Sequence, residues 1–420
     1  MKVSFPFGEK KVQVELPDNL NLDFIQFKRS FFVNDFTDFF IKKITNPIKE
    51  RSLFEIAKER KSACILVSDL TRPSGANIFL PILVNLLNTC GIKDDNISII
   101  ISSGLHRDLT SQEKKELVGS EVFKRIKIIN HHADDKKEMV FLGKTKYGTE
   151  LWVNRDYTNA ELKIVTGSIN HHPMAGFSGG AKSILPGIAA TKSIHQNHKL
   201  FFDSDGRNKN CLPGVLKNNP LHEDIMEGGQ IAGIDFLINT ICDSEGRIVD
   251  LVAGNWKYAW LEGCKKVKQL FNIKIEKLYD VVIASAGGYP KDINLYQTIK
   301  PLTSSSLPLR QGGSLFFIAE CREGVGIDYD EWINLDFLQI KDKLKKDFSL
   351  AGLFFFMIKE IIREKKVYIF SSLLDEISTK TGLIPLQSLS EICSYLPGND
   401  KTKILVIKDG SKFFPEFEDI

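Results

Sequence analysis

Short apolar runs rich in β-branched residues recur along the chain, each followed by a loop of small and polar residues and then by a helical pattern. Residues 64–68 (CILVS) lead into DLTRPSG, 97–102 (ISIIIS) into SGLHRDLT, and 162–166 (LKIVT) into a glycine-rich stretch. Runs this apolar suit parallel strands covered on both faces, and parallel neighbours need a crossover, usually a helix. Thr110 and Glu113 stand at capping-box spacing and predict a helix opening after the second loop. A second series begins near residue 278, with YDVVIASAGG, GGSLFFIAEC and KKVYIFSS, and TKILVIKDG supplies a last strand. The pattern predicts an α/β protein of two α/β domains with largely parallel sheets. The charged segment 263–277 marks the boundary, giving domains 1–272 and 273–400, with 401–420 returning to the first. The start, MKVSFPFGEKKVQVEL, alternates like a hairpin rather than like a signal sequence.

A chain of 420 residues with 43% hydrophobic content can bury a large core. Its 56 basic and 53 acidic residues are interspersed, so no electrostatic footprint for nucleic acid or a membrane surface is present, and small molecules are the expected partners. Seven cysteines, odd in number and without a CxxC pair, argue for reduced thiols and a cytoplasmic setting. No run reaches the roughly 20 apolar residues that span a bilayer.

Ligands of open parallel sheets sit beyond the carboxyl ends of the strands, so the three loops should converge. They carry Asp69 and Arg72 in DLTRP, His106 in GLHR, and His171, His172 and Lys182 in HHPMAGFSGGAKS; His195 and His198 follow in IHQNHK. A single histidine is more often structural than catalytic, but this concentration on loops after strands favours a site. GFSGGAKS matches a phosphate-binding loop except that Ala181 replaces its last glycine, which normally lets the backbone wrap the phosphates. No HExxH or cysteine pair completes a zinc set around His195 and His198, and the serine of FSGG is out of frame for a hydrolase elbow. A lysine among glycines suits a covalent bond to a carbonyl-bearing cofactor or substrate; an ion-pairing or phosphate-anchoring lysine is equally compatible with the composition.

The set DLTRP, GLHR, HHPMAGFSGGAKSILPG, NH and LYQTIK, in this order over nearly the whole chain, resembles the lactate racemase family, which uses a nickel-pincer nucleotide. The resemblance implies that Lys182 tethers the cofactor's pyridinium ring, that His198 is the protein ligand to nickel, and that His106 and His172 are the acid/base pair. It places Asp69, Thr71, Gly179 and Gly180 at the cofactor, and Arg72, Tyr296, Gln297 and Lys300 at the substrate carboxylate and pocket, in an active-site cleft between the two domains. Proteins that synthesise the cofactor are the implied partners. The chemistry fits: an α-hydrogen beside a carboxylate is very weakly acidic, whereas its removal as hydride, with a base taking the hydroxyl proton, leaves a neutral carbonyl. Two bases then serve the two hands of the substrate.

Tyr296, Gln297 and Lys300 have helical spacing, with 296 and 300 on one face. The best-known relatives carry a tryptophan in the second domain, where this chain reads AGLFFFMIKE. One of Phe354, Phe355 and Phe356 facing the cleft would favour a substrate whose apolar side chain is larger than methyl, with the other two in the core. His171 and His195 are expected in supporting roles, His131 and His132 on the surface, and His222 at a helix start. The alternative function is a non-catalytic or transferase-like protein that holds a nucleotide in the glycine-rich loop.

Overall fold

The structure is a computed structural model that describes residues 1–26, 33, 35–204, 206–243, 246–396 and 401–417. The chain divides into two compact units, one of Arg29–Leu270 and one of Met1–Lys28 with Phe271–Ile420. In the first, six strands lie in the order Ile248–Gly254, Phe236–Cys242, Leu162–Ser168, Ala63–Ser68, Ile97–Ser102 and Lys127–Asn130. All neighbours are parallel except the first pair. Every residue of Phe236–Cys242 is buried, as is all of Ala63–Ser68 except its last residue, because helices cover both faces of such a sheet. Helix Ala76–Thr89 supplies one cover, burying Phe79, Leu80, Leu83, Val84 and Leu87 at helical spacing in the same core as Ile65, Val67, Ile99 and Ile101. The expected capping box opens helix Ser111–Val118, with Thr110 and Glu113 each serving the other's backbone amide.

From Ala63–Ser68 the chain builds outward through Ile97–Ser102 on one side and returns through Leu162–Ser168 on the other. This reversal of strand order opens a crevice at the carboxyl ends, where the loops bearing Asp69, His106 and His172 all begin.

The second unit has a sheet of six strands, all parallel, ordered Ile384–Pro385, Lys366–Phe370, Leu309–Ile318, Tyr279–Ser285, Lys403–Ile407 and Asn21–Phe24. This corrects the domain limits expected from sequence. The hairpin Lys2–Phe7 and Lys10–Glu15 forms as its alternation predicts, but its inward side chains Val3, Phe5 and Val14 share a core with Val281, Ile283, Phe316 and Ile318. Strand Asn21–Phe24 extends the same sheet by pairing with Lys403–Ile407, so the last strand does not return to the first domain. Arg29–Leu270 is thus an insertion between Asn21–Phe24 and the strands of the other unit that follow residue 270.

Helix Leu350–Glu364 is capped by Ser349 and buries Phe354, Phe355 and Phe356 alike, at 2%, 0% and 0% exposure, which corrects the expectation that one of the three faces a cleft. Three consecutive buried rings require cover around most of the helix. Phe356 packs on Phe337 with centroids 4.8 Å apart, and Phe354 meets the Tyr296 ring edge to face at 5.6 Å. Among the described residues no helix is long and apolar enough to cross a membrane.

Candidate active site

Asp69 follows its strand directly and is buried. The Thr71 amide and hydroxyl donate to its Oδ1 at 2.9 and 2.6 Å, an Asx turn, while its Oδ2 lies 2.6 Å from His106 Nδ1. Burial pushes the Asp69 carboxyl up, but His106, Thr71 and Arg72 outweigh it and hold the group below the ordinary carboxylate value. The Arg72 amide closes the turn onto the Asp69 carbonyl, leaving its half-buried guanidinium beside Thr71, 3.4 Å from that residue's carbonyl oxygen. His106 is set by a second turn, its amide donating to the Ser103 carbonyl at 3.0 Å. Gly104, at φ 59°, sends its own amide to the Gly187 carbonyl and so ties this loop to the glycine-rich one.

His171 and His172 form a two-residue strand paired with Gly176 and Phe177. The pairing lays the His171 ring on Phe177, centroids 5.0 Å apart, and turns His172 so that its Nδ1 accepts from the Met174 and Ala175 amides at 3.3 and 3.1 Å. Gly179 and Gly180, at φ 75° and 58°, are demanded by their neighbours: a Cβ on either would lie 2.6 Å from Asn239 Oδ1 or from the Trp260 ring. The Gly180 amide donates to that Asn239 oxygen at 2.8 Å. Lys182 sits in the single 3-10 turn Gly180–Ser183. Desolvation, assisted by the Arg72 charge, pushes its amine down to about 7, so a large share is neutral and nucleophilic near neutral pH. A small pocket beside it is lined by Phe177, Gly179, His222, Met226 and Trp260.

Helix Thr191–Lys199 presents His198. Its Nδ1–H donates to the Ile194 carbonyl at 2.8 Å, leaving the lone pair on Nε2. Burial first, then the Lys182 charge, push it down to about 4, so the ring is neutral at pH 7, the form a metal ion takes. The preceding residue anchors the helix: Asn197 Nδ2 donates to Asp224 Oδ2 at 2.8 Å, and the fully buried Asp224 also accepts from the hydroxyls of Thr145 and Thr149.

In the other unit, Tyr296 and Gln297 lie in a turn and only Lys300 lies in helix Ile299–Ser306, so the helical register expected for all three is corrected. The turn is held from outside: the Leu295 and Tyr296 amides donate to the Gly324 and Val325 carbonyls, and Gln297 donates to Asn294 Oδ1 at 3.0 Å. A pairing this distant in sequence has no local signature.

His131 is also corrected, from surface to core: it is 2% exposed, its Nε2 is 3.0 Å from the Ala189 carbonyl, and burial pushes it down to about 4. His132 is exposed beside Asp108 as expected. His222 starts helix Pro220–Ala232, but its ring also stacks on Trp260 at 5.3 Å next to Lys182. That stack and the Asp224 anchor escaped the sequence reading, because Trp260 and Thr145 lie far from their partners and belong to no motif.

Residues 7–210 match the lactate racemase N-terminal domain family and residues 275–346 the lactate racemase C-terminal domain family. The chain is 35% identical to the lactate racemase of Thermoanaerobacterium thermosaccharolyticum over 77% of its length and 75% of the relative's. It is 34% identical to the lactate racemase of Lactiplantibacillus plantarum over 68% of its length and 66% of that protein's. Its fold superposes on the lactate racemase apoprotein structure from T. thermosaccharolyticum with a TM-score of 0.87 at 29% identity, covering 99% of this chain and 100% of that one. A protein from Thermotoga maritima shares the fold at a TM-score of 0.64 and 18% identity, over 89% and 99% of the two chains. The chain belongs to the lactate racemase family and is an isomerase.

Proposed function

We propose that the protein interconverts the two hands of a 2-hydroxy carboxylate, in the cytoplasm, with a nickel-pincer nucleotide that other proteins synthesise. The observation that carries this reading is the meeting of an enclosed, partly neutral Lys182 amine with a neutral His198 whose Nε2 lone pair is fixed by the Ile194 bond. Among the described residues no three His, Cys, Asp or Glu side chains gather into a metal cage, so His198 fits a metal whose other donors arrive with an organic group. Lys182 would hold that group covalently and His198 would ligate nickel through Nε2. Bound there, the cofactor supplies a reversible hydride acceptor.

The chain's own residues do the rest. Arg72 grips the carboxylate with its planar fork while the reacting carbon turns over. His106 and His172, from different loops, exchange the hydroxyl proton on opposite faces. Gly179 and Gly180 shape the turn that presents Lys182. The roles of Tyr296, Gln297 and Lys300 at the substrate rest on the family motif. Phe354 backs Tyr296, and we propose that this apolar wall favours side chains larger than methyl, each Å² of apolar surface buried adding about 25 cal/mol.

The test uses protein purified from cells that make the cofactor. Intact mass should show an adduct, metal analysis should show nickel, and the enantiomers of lactate, 2-hydroxyisovalerate or phenyllactate should interconvert faster than those of malate or gluconate. An unmodified chain with an ordinary nucleotide bound tightly would favour the nucleotide-binding alternative. Fastest turnover of malate or gluconate would overturn the side-chain preference alone.

A further inference from the structure

His106 and His172 are both offered to the same chemistry, yet their Nδ1 atoms meet opposite partners. His106 Nδ1 faces the Asp69 carboxylate at 2.6 Å, and a carboxylate oxygen can only accept there. His172 Nδ1 faces two amide N–H groups, which can only donate. We infer that Asp69 is the positioning residue for His106, holding its hydrogen on Nδ1 and its lone pair on Nε2, and that the two histidines are therefore unequal at rest. This rests on the proposed racemase reading for its catalytic meaning, but not for its geometry.

Asp69 is built for the task. Both Thr71 donors engage Oδ1, which leaves Oδ2 to His106, and burial keeps water from competing. The other charged groups nearby are Arg72, which faces Asp69, and two on His106's own loop: Arg107 bonds Glu113 and the Asp108 carbonyl, and the Asp108 carboxylate bonds His132. None of these replaces Asp69 at Nδ1. Neutral His106 can thus take a proton at Nε2 immediately. Neutral His172 presents Nε2–H as a hydrogen-bond donor, and taking a proton at that atom requires its ring to give up the Met174 and Ala175 amides.

Asp69→Asn tests this with a definite expectation. Thr71's two donors claim the new side chain's only carbonyl oxygen, so its NH₂ must face His106 Nδ1, which then has to accept. The hydrogen moves to Nε2. Nitrogen NMR of the imidazoles in protein without cofactor should show neutral wild-type His106 as the Nδ1–H tautomer and His172 as Nε2–H. The variant should lower the Nδ1–H to Nε2–H ratio of His106 at least tenfold and leave His172 unchanged. In loaded enzyme, kcat should fall on the order of a hundredfold or more with little change in KM, and Asp69→Glu should restore part of it. A wild-type His106 found as Nε2–H overturns the inference without any variant. So does an Asp69→Asn protein whose His106 tautomer is unchanged, or one that loses the cofactor adduct while His106 stays as it was. If the tautomers are as stated but no 2-hydroxy acid is turned over, the racemase reading fails and the positioning role stands.

Discussion

Each unit is built on a six-stranded, largely parallel sheet, yet all eight histidines lie within Arg29–Leu270 and none in the other unit. The loops at the strand ends differ in the same sense. After Tyr279–Ser285, the Ser285 hydroxyl bonds the Pro6 carbonyl at 2.6 Å, and Asp292 Oδ2 accepts from the Gly8 and Glu320 amides, so the polar groups there secure their own loops. After Ala63–Ser68 and Ile97–Ser102 the corresponding groups fix one another and still leave the His106 side chain 39% exposed. Similar sheets therefore provide similar ledges, and the residues placed on them decide which ledge can do chemistry.

The sharpest way to break this contrast is to exchange a lysine in each unit for alanine. Lys182→Ala should abolish both the mass adduct and turnover. Lys300→Ala should keep the adduct and raise KM about tenfold, the loss of one charge-assisted contact. A surviving adduct in the first variant, or a lost one in the second, would remove the division of labour.

Replacing His106 or His172 by alanine should each lower complete racemisation by about 10²–10⁴-fold, the usual scale of a missing acid or base. A cofactor absorbance change with one enantiomer only would mark a surviving half-reaction. Full racemisation by either variant rules out the pair.

Asp224→Ala removes the acceptor for Thr145, Thr149 and Asn197 at a fully buried site, and should cost about 3 kcal/mol in urea unfolding of the Arg29–Leu270 unit. A loss under about 1 kcal/mol would show that water or rearrangement replaces these bonds.

The most diffuse effect is acid sensitivity, spread over three residues. His131, His198 and His222 are each pushed down to about 4, burial being the largest cause. Their unfolded value is near 6.5, so the stability from keeping them neutral is fully present above that pH and is lost as pH falls toward 4. The slope is at most about 1.4 kcal/mol per pH unit for each. Between pH 7 and 5, hydrogen-exchange protection, referred to the intrinsic rate at each pH, should therefore fall in Ala63–Ser68 and not in Tyr279–Ser285. Equal loss of protection in both strands would make the histidines irrelevant to it.

Strands and the capped helix were legible because their signals are local. Seven apolar runs and both arms of the alternating start became strands, and Thr110 with Glu113 capped the helix that their spacing predicts. The convergence of Asp69, His106 and His172 on one sheet end followed from the rule for parallel sheets. What was hidden depends on contacts between distant segments. Asn21–Phe24 pairs with Lys403–Ile407, Tyr296 is held by Val325, and His131 is buried under Ala189. The identity of Asp69's partner belongs to this class too, since nothing in DLTRP or GLHR says that the two loops share a hydrogen bond.

The insertion of Arg29–Leu270 after Asn21–Phe24 also sets an order of events during synthesis. Asn21–Phe24 leaves the ribosome long before its partner Lys403–Ile407. The inserted unit, whose sheet is complete by Gly254, can close on itself while translation continues. Until then the early hairpin keeps Val3 and Phe5 without the core that later covers them, a vulnerability to aggregation that the finished fold conceals. The half that carries the histidines is thus the half that can mature first.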